Sequence, residues 1–141
     1  MGKINWQRVL LGGVLWALVY NLVWGTSWVL FGRAQWEAAY EALGRHVAVT
    51  AQFAVSFIVV TLVVGVFAVW FYAAIRPRYG AGPKTAACAG VALWVIGYLL
   101  PTIVWGVLLL PLPTRVVVSG SATALVAMVL ATLVGAWPYK E

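Results

Sequence analysis

Charged residues are scarce in this chain: its 141 residues include nine Lys and Arg and three Asp and Glu, or 9% of the total, against about 25% in an ordinary soluble domain. A water-soluble globule with so few charges could not cover its surface. The single cysteine excludes an intramolecular disulfide and the cysteine pairs that membrane thiol oxidoreductases need. The single histidine excludes bis-histidine haem ligation by this chain alone.

Apolar sequence is abundant instead and makes up 65% of the residues. Asp, Glu, Lys, Arg and His are absent from four windows, 9–32, 47–75, 85–114 and 116–139. Each window exceeds the length of about 18 residues at which an apolar run indicates a transmembrane helix. We therefore predict an all-α integral membrane protein, an antiparallel four-transmembrane-helix bundle that forms a single domain, residues 1–141. The predicted spans are approximately 9–31, 47–75, 86–110 and 115–137.

The basic residues are distributed unequally between the two sides of such a bundle. Six of them fall on one side, Lys3, Arg8, Arg76, Arg78, Lys84 and Lys140. Three fall on the other side, Arg33, Arg45 and Arg115. The positive-inside rule therefore predicts that the N- and C-termini are cytoplasmic. The formal net charge of +6 does not indicate a nucleic-acid partner, because the cations are scattered over separate loops.

Two of the spans carry regular stripes of one residue type. In the first span an aromatic ridge lies beside a small-residue groove; the ridge is Trp16, Tyr20, Trp24 and Trp28, and the groove is Gly13, Ala17, Asn21 and Gly25. Small residues let helices approach closely in lipid, so we expect the groove to contact another helix and the ridge to face lipid or the interface. The fourth span carries a candidate helix-packing seam, Gly120, Ala124, Ala127, Ala131 and Gly135.

The segment between the first two spans has the pattern of a short amphipathic helix. Within 34–43, Trp36 and Tyr40 share one face, and Glu37 and Glu41 share another. Trp and Tyr are enriched at membrane–water boundaries. We therefore predict an interfacial amphipathic helix on the outer side of the membrane.

Proline and threonine mark the remaining boundaries. Pro77 is expected to end the second helix and Pro101 to kink the third, because proline removes a backbone hydrogen bond. Tyr98 and Thr102 lie beside that kink, where their hydroxyls can help to satisfy the carbonyl that Pro101 leaves unpaired. Thr114 is expected to be the N-cap of the fourth helix.

No residue pattern indicates catalysis or a cofactor. The windows contain no Asp, Glu, His or Lys for general acid–base chemistry, no carboxylate for proton-coupled transport and no lysine for a retinal Schiff base. Metal-ligand spacing is also missing. We expect a protein that is not an enzyme and that has no cofactor. Glu37, Glu41 and His46 could act together only if the outer loop united them.

The candidate binding residues each have a plainer alternative. Arg76, Arg78 and Lys84 are candidate contacts for anionic lipid headgroups, and topological anchoring accounts for them equally well. His46 lies at the outer mouth of the second span, where it could ligate a metal or simply be exposed at the boundary.

The polar residues inside the spans are open to two interpretations. Asn21, Gln52 and Thr102 are candidate intramembrane polar positions, which could line a path for a small solute or hydrogen-bond neighbouring helices. The second interpretation is favoured for Asn21 and Gln52, because Asn21 is central in its span whereas Gln52 lies near the outer end. Cys88 is interpreted as a small buried hydrophobe.

Five segments carry a resemblance to a known group of proteins: INWQRVLLGG (4–13), WEAA (36–39), AAIRPRYG (73–80), GPKT (82–85) and GAWPYKE (135–141). The chain resembles a group of small uncharacterised four-span bacterial membrane proteins over nearly its whole length. The resemblance implies a bacterial inner-membrane location, and no activity comes with it.

Two kinds of function remain. The first is a non-catalytic accessory or structural subunit that packs its small-residue seams against other membrane helices or a second copy, as a homo-oligomer or part of a larger membrane complex, with membrane lipids around it. The second is a binder or conduit for a small hydrophobic or neutral molecule, such as a lipid or a quinone-like compound, with the Pro101 kink as its portal. A cavity at Asn21 or at Pro101 would favour the second function.

Overall fold

The computed structural model describes residues 4–46 and 49–139, and every regular element within these ranges is a helix. Four helices are long and apolar enough to cross a membrane, as predicted. We number them α1 (Trp6–Ala42), α2 (Ala51–Tyr79), α3 (Pro83–Leu109) and α4 (Thr114–Ala136).

Side-chain caps begin two of the helices. The side chain of Asn5 accepts a hydrogen bond from the backbone N–H of Arg8, and that of Thr50 accepts one from Phe53, both at 3.2 Å. These bonds satisfy N–H groups that have no partner within the first turn. The prediction for Thr114 was wrong, because α4 starts at this residue after an N-cap at Pro113 that makes no side-chain hydrogen bond.

The second helix extends past the proline that was expected to end it. Pro77 lies inside α2, which continues to Tyr79. Proline removes only the hydrogen bond of its own nitrogen, which is a small loss so close to the end of a helix. Gly80 ends α2 instead, with φ of 85° and its N–H donated to the carbonyl of Arg76.

The segment predicted as a separate amphipathic helix is a direct continuation of α1. Residues Arg33–Ala42 are α-helical, and a π-helical segment, Trp28–Gly32, joins them to Trp6–Ser27 without a break. The backbone at Arg33 stays in the right-handed helical region. At 1.5 Å per residue, α1 is roughly 56 Å long, which exceeds a hydrocarbon core of about 30 Å.

Pro101 lies in the least regular part of the structure. The short α-helical piece Leu100–Thr102 is flanked by two π-helical segments, Val95–Leu99 and Ile103–Leu109. Proline has no N–H for the helix ladder, and π-helical turns are common where that ladder is interrupted. The expected disturbance of α3 at Pro101 is therefore present, spread over two segments.

Glycine allows the helices to touch at one end of the bundle. A Cβ added at Gly12 would meet the carbonyl oxygen of Gly135, and one added at Gly65 would meet the carbonyl oxygen of Gly13. A Cβ at Gly90 would lie 3.1 Å from the carbonyl oxygen of Met128. Small residues permit such approach in membrane helices. We call this part of the bundle, around Gly12, Gly13, Gly65, Gly90 and Gly135, the closed end.

The small-residue seam of α4 lies inside the chain. Its five residues are all buried, Gly120, Ala124, Ala127, Ala131 and Gly135. Helix α4 packs against both α1 and α3, which accounts for the burial. The candidate helix-packing seam is therefore buried where α4 packs against other helices of the same chain.

The aromatic ridge of α1 faces the core and not the lipid. Trp16 is 0% exposed and Tyr20 is 6% exposed. The indole N–H of Trp16 donates to the hydroxyl of Thr132 at 2.9 Å, and both aromatic rings share a buried cluster with Ala127 and Ala131. Large rings on α1 thus fill the space that the small residues of α4 leave.

Candidate functional site

At the opposite end of the bundle, which we call the open end, two helices that do not pack closely against each other border a groove. An open groove of about 240 Å³ lies there between α1 and α3. Trp36 and Tyr40 line it from α1, and Pro101 and Trp105 line it from α3. Pro101, the residue suggested as a portal for a binder or conduit, is therefore part of the groove lining.

The α1 wall of the groove consists of two stacked rings. Trp36 and Tyr40 are one helical turn apart, and their ring centroids are 5.7 Å apart at an angle of 25°. Hydrogen bonding ties this part of α1 to α4, because the Ser119 hydroxyl donates to the side-chain oxygen of Gln35 at 3.0 Å. The wall is therefore held in place by contacts with the rest of the bundle.

The α3 wall combines an empty position with a packed ring. A Cβ added at Gly97 would meet nothing within 4 Å, so this position is a gap in the wall. Tyr98 packs edge-on against Trp24, with ring centroids 5.8 Å apart. Its hydroxyl would lie 2.8 Å from a Cβ at Gly120, so the missing side chain of Gly120 makes room for it.

The far end of α3 closes the groove. Gly106, Leu110 and Leu112 complete the lining. The backbone N–H of Leu112 donates to the carbonyl of Gly106 at 2.9 Å, which folds the chain after α3 back onto the helix. The closure is apolar, so a ligand there would contact leucine side chains.

The groove is uncharged but offers hydrogen bonds. Among the described residues that line it, none is acidic or basic. The lining residues with polar side-chain groups are Tyr40, Tyr98, Thr102, Trp36 and Trp105. The hydroxyls of Tyr98 and Thr102 share one hydrogen bond, which leaves this pair one proton to donate, and the other three residues carry one donor group each. The arrangement suits a molecule that is largely apolar and carries an oxygen acceptor.

A smaller cavity lies on the other side of Trp36. It measures about 20 Å³ and is lined partly by hydroxyls of Ser27, Ser119 and Thr123. About 10–15 Å³ measured in this way accommodates one water molecule. The π-helical segment Trp28–Gly32 forms part of its lining, so this cavity and the groove both lie where the helices depart from regular α geometry.

The predicted intramembrane polar residues do not form one site. The side-chain amide of Asn21 donates to the carbonyl of Ala17 at 2.7 Å and to the hydroxyl of Thr61 at 2.8 Å. The Asn21 side chain therefore hydrogen-bonds α1 to α2. Gln52 is exposed near the start of α2, and Thr102 lines the groove.

The predicted headgroup contacts lie at the closed end. The guanidinium of Arg76 is 5.6 Å from the ring centroid of Tyr139, which is a cation–π distance. Arg78 and Lys84 are exposed. The turn between them is held by the hydroxyl of Thr85, which donates to the carbonyl of Gly80 at 2.8 Å.

Cys88 and His46, which the sequence analysis also considered, are both exposed. The prediction of Cys88 as a buried hydrophobe was therefore wrong: it lies on the side of α3 that points away from the neighbouring helices. Within residues 4–46 and 49–139, His, Cys, Asp and Glu form no group of three that could hold a metal ion.

Sequence reasoning missed Trp36 and Tyr40 as residues of the site. Their spacing indicated a common face, but that face was assigned to the membrane interface. One feature of the sequence could have located them: no glycine or proline lies between Gly32 and Gly44. A first helix that continues through Gly32 without a break carries both rings to the level of the C-terminal half of α3.

The fold and the groove define a class, a helical protein of membrane-spanning type with a neutral groove open at its side. Comparisons with protein-family models, with curated proteins and with solved structures found no match to the chain. The groove itself is therefore the basis for assigning a function.

Proposed function

We propose that this protein binds a small, largely apolar molecule in the groove at Pro101. The groove carries this proposal, because it is open, aromatic and uncharged and it lies beside the π-helical segments that flank Pro101 in a membrane-type helix. Ligand sites are commonly concave, mostly apolar and equipped with a few polar groups that orient the ligand. The role proposed is non-catalytic, because the lining residues supply hydrogen bonds but include no Asp, Glu, His or Lys.

The proposed setting is a bacterial inner membrane crossed by an antiparallel bundle with both termini in the cytoplasm. Contacts between α1 and α2 support the antiparallel arrangement, since Gly13 lies near Val66 while Asn21, further along α1, bonds to the earlier residue Thr61. The excess of basic residues near the termini supports the orientation. The open end then lies on the outer side, where the continuation of α1 reaches the interface.

Native mass spectrometry of the gently extracted protein tests the binding role. Gly97→Leu places a side chain in the gap of the α3 wall, where a Cβ meets nothing within 4 Å. We expect it to reduce the amount of apolar molecule that copurifies by tenfold or more, since the added side chain occupies the space of the ligand.

Gly25→Leu is the matched control. Gly25 is also a helical glycine with open space around its Cβ position, and it lies outside the groove. Equal occupancy in the wild type and in both variants would contradict the proposed function.

A second role, as an accessory subunit or homo-oligomer, is favoured by the start of α2. Residues 51–60 of α2 are all exposed except Phe57, and they include the polar side chains of Gln52 and Ser56. Polar groups exposed on a membrane helix are stabilised by a hydrogen-bonding neighbour helix. We propose that this stretch contacts another membrane protein or a second copy.

The mass of the gently extracted particle tests this second role. Ser56→Trp is expected to dissociate a larger complex because it adds bulk at the contact. Val126→Trp changes an exposed residue of α4 and serves as the control. A wild-type protein that is monomeric even in the mildest detergent extracts would refute the accessory role.

A further inference from the structure

The composition of the groove walls narrows the chemistry of the ligand. We infer that the groove binds a neutral molecule with a planar ring that carries carbonyl acceptors, as in a quinone, with an apolar tail that extends into the lipid. This inference rests on the proposed binding function and specifies its ligand class.

Ring recognition follows from the side chains on the two walls. Trp36 and Tyr40 are stacked on the α1 wall, and Tyr98 and Trp105 lie on the α3 wall. Aromatic rings pair favourably when their centroids are about 4.5–7 Å apart, in offset-stacked or edge-to-face geometry. A flat ligand ring can pair in these geometries with the aromatic residues that line each wall, whereas a saturated chain cannot.

The size of the groove is sufficient for a ring. An apolar protein cavity of about 150 Å³ accommodates benzene, and the groove measures about 240 Å³. A six-membered ring with several substituents therefore fits this space. A long tail therefore has to leave through the open side of the groove.

The charge and the hydrogen-bond donors of the lining indicate that the polar group of the ligand is a neutral acceptor. The lining residues carry no charge that would compensate a phosphate or an ammonium group, and burying an uncompensated charge is costly. Residues with donor groups lie on both walls, Tyr40 on α1 and, on α3, the hydroxyl pair of Tyr98 and Thr102, which shares one hydrogen bond and keeps one proton to donate. Donors on two sides match a ring with carbonyl oxygens on two sides.

The test compares three radiolabelled probes that share a ten-carbon tail: a decyl benzoquinone, decylbenzene and decanol. Each is partitioned between nanodiscs that contain the full-length protein and empty nanodiscs. We expect saturable excess binding of the quinone, with affinity at least tenfold higher than for decylbenzene and still higher than for decanol. Gly97→Leu should abolish the excess, and Gly25→Leu should retain it.

Hydroxyl deletions test the acceptor. Thr102→Val and Tyr40→Phe should each weaken quinone binding about two- to tenfold, as expected for one neutral hydrogen bond, and leave decylbenzene binding unchanged. Tyr79→Phe removes an exposed hydroxyl at the closed end and should have no effect.

The outcomes separate this inference from the proposed function. If decanol or decylbenzene bound as tightly as the quinone, the inferred ligand class would be wrong, while a copurifying molecule lost in Gly97→Leu would still support the binding function. The inferred ligand class would also be wrong if no probe showed binding that depends on Gly97. Loss of both the probe binding and the Gly97-dependent copurification would refute both proposals.

Discussion

Individual glycines at the closed end are in backbone contact with neighbouring helices. Gly12 in α1 lies against the carbonyl oxygen of Gly135 in α4, and Gly65 in α2 lies against that of Gly13. A backbone atom cannot move aside as the end of a flexible side chain can. These positions therefore tolerate no Cβ without displacement of a whole helix, whereas Gly25 and Gly97 have open space at the same atom.

The first prediction concerns Gly12→Ala. The added methyl group meets the Gly135 carbonyl, and overpacking of this kind costs about 1–3 kcal/mol. Reversible unfolding of the purified protein in mixed micelles should show this loss of unfolding free energy. Gly25→Ala should be neutral or stabilising, because alanine is a better helix former by about 1 kcal/mol. Equal effects of both substitutions would show that the helices are not in contact at Gly12.

The second prediction concerns the buried hydrogen bond between Trp16 and Thr132. Thr132→Val keeps the shape of the side chain but leaves the indole N–H without its acceptor at 2.9 Å. We expect a loss of about 1–2 kcal/mol in the free energy of unfolding. Thr26→Val changes an exposed threonine and should stay within about 0.5 kcal/mol. A Thr132→Val protein as stable as the wild type would mean that this bond adds nothing to the fold.

At the scale of helices, α1 is the element whose extent matters most for the site. Its continuation past Gly32 carries Trp36 and Tyr40 to the groove, and the bond between Ser119 and Gln35 holds it against α4. A separate helix lying along the membrane surface would remove one wall of the groove. The continuity of α1 is therefore a condition for the proposed function.

The third prediction tests that continuity by spin-label distances in a Cys88→Ala background. Labels at Leu22→Cys and Glu41→Cys are 19 residues apart, which corresponds to roughly 29 Å along one straight helix. A right-angled turn at Gly32 would shorten the distance to about 20 Å. Val55→Cys and Ala74→Cys, with the same separation inside α2, provide the reference distance for a regular helix. A clearly shorter distance for the first pair would contradict a continuous α1.

The whole molecule combines a tight end with an open one. Glycine and alanine bring the backbones together at the closed end, and Val9, Val69 and Ala136 fill the core there. At the open end, tryptophan and tyrosine rings of α1 and α3 line the groove beside the irregular segments around Pro101. Helices α1 and α3 pack mainly against α2 and α4 and not closely against each other, and the groove occupies the space between them.

The fourth prediction concerns the orientation of the molecule in the membrane. A reporter fused after Glu141 should be active in the cytoplasm, because the proposed four-span topology puts six of the nine basic residues on the side of the termini. A reporter inserted between Leu112 and Pro113 should be active outside. Reversed activities at the two positions would place the groove at the cytoplasmic side.

Much of the fold could be predicted from the sequence, and much of the site could not. Four uninterrupted apolar windows specify four long helices, because lipid leaves the backbone no other way to satisfy its hydrogen bonds. The exact residues at which the helices end depend on local backbone preferences. The second helix continues past Pro77 and ends at the turn formed by Gly80. Which side of a helix is buried depends on the helices that pack against it. For this reason Cys88 was wrongly predicted to be buried, and Trp16 was wrongly predicted to face lipid or the interface.

The sequence by itself determined that this chain is helical, apolar and divided into four spans, since these properties follow from composition and charge placement along the chain. The tertiary structure alone decided that α1 directs its aromatic ridge inward and that the seam of α4 is occupied by α1 and α3. It also decided that Trp36, Tyr40 and Pro101 line one groove. These are relations between residues far apart in the chain, and they arise only when the side chains of different helices compete for the same space.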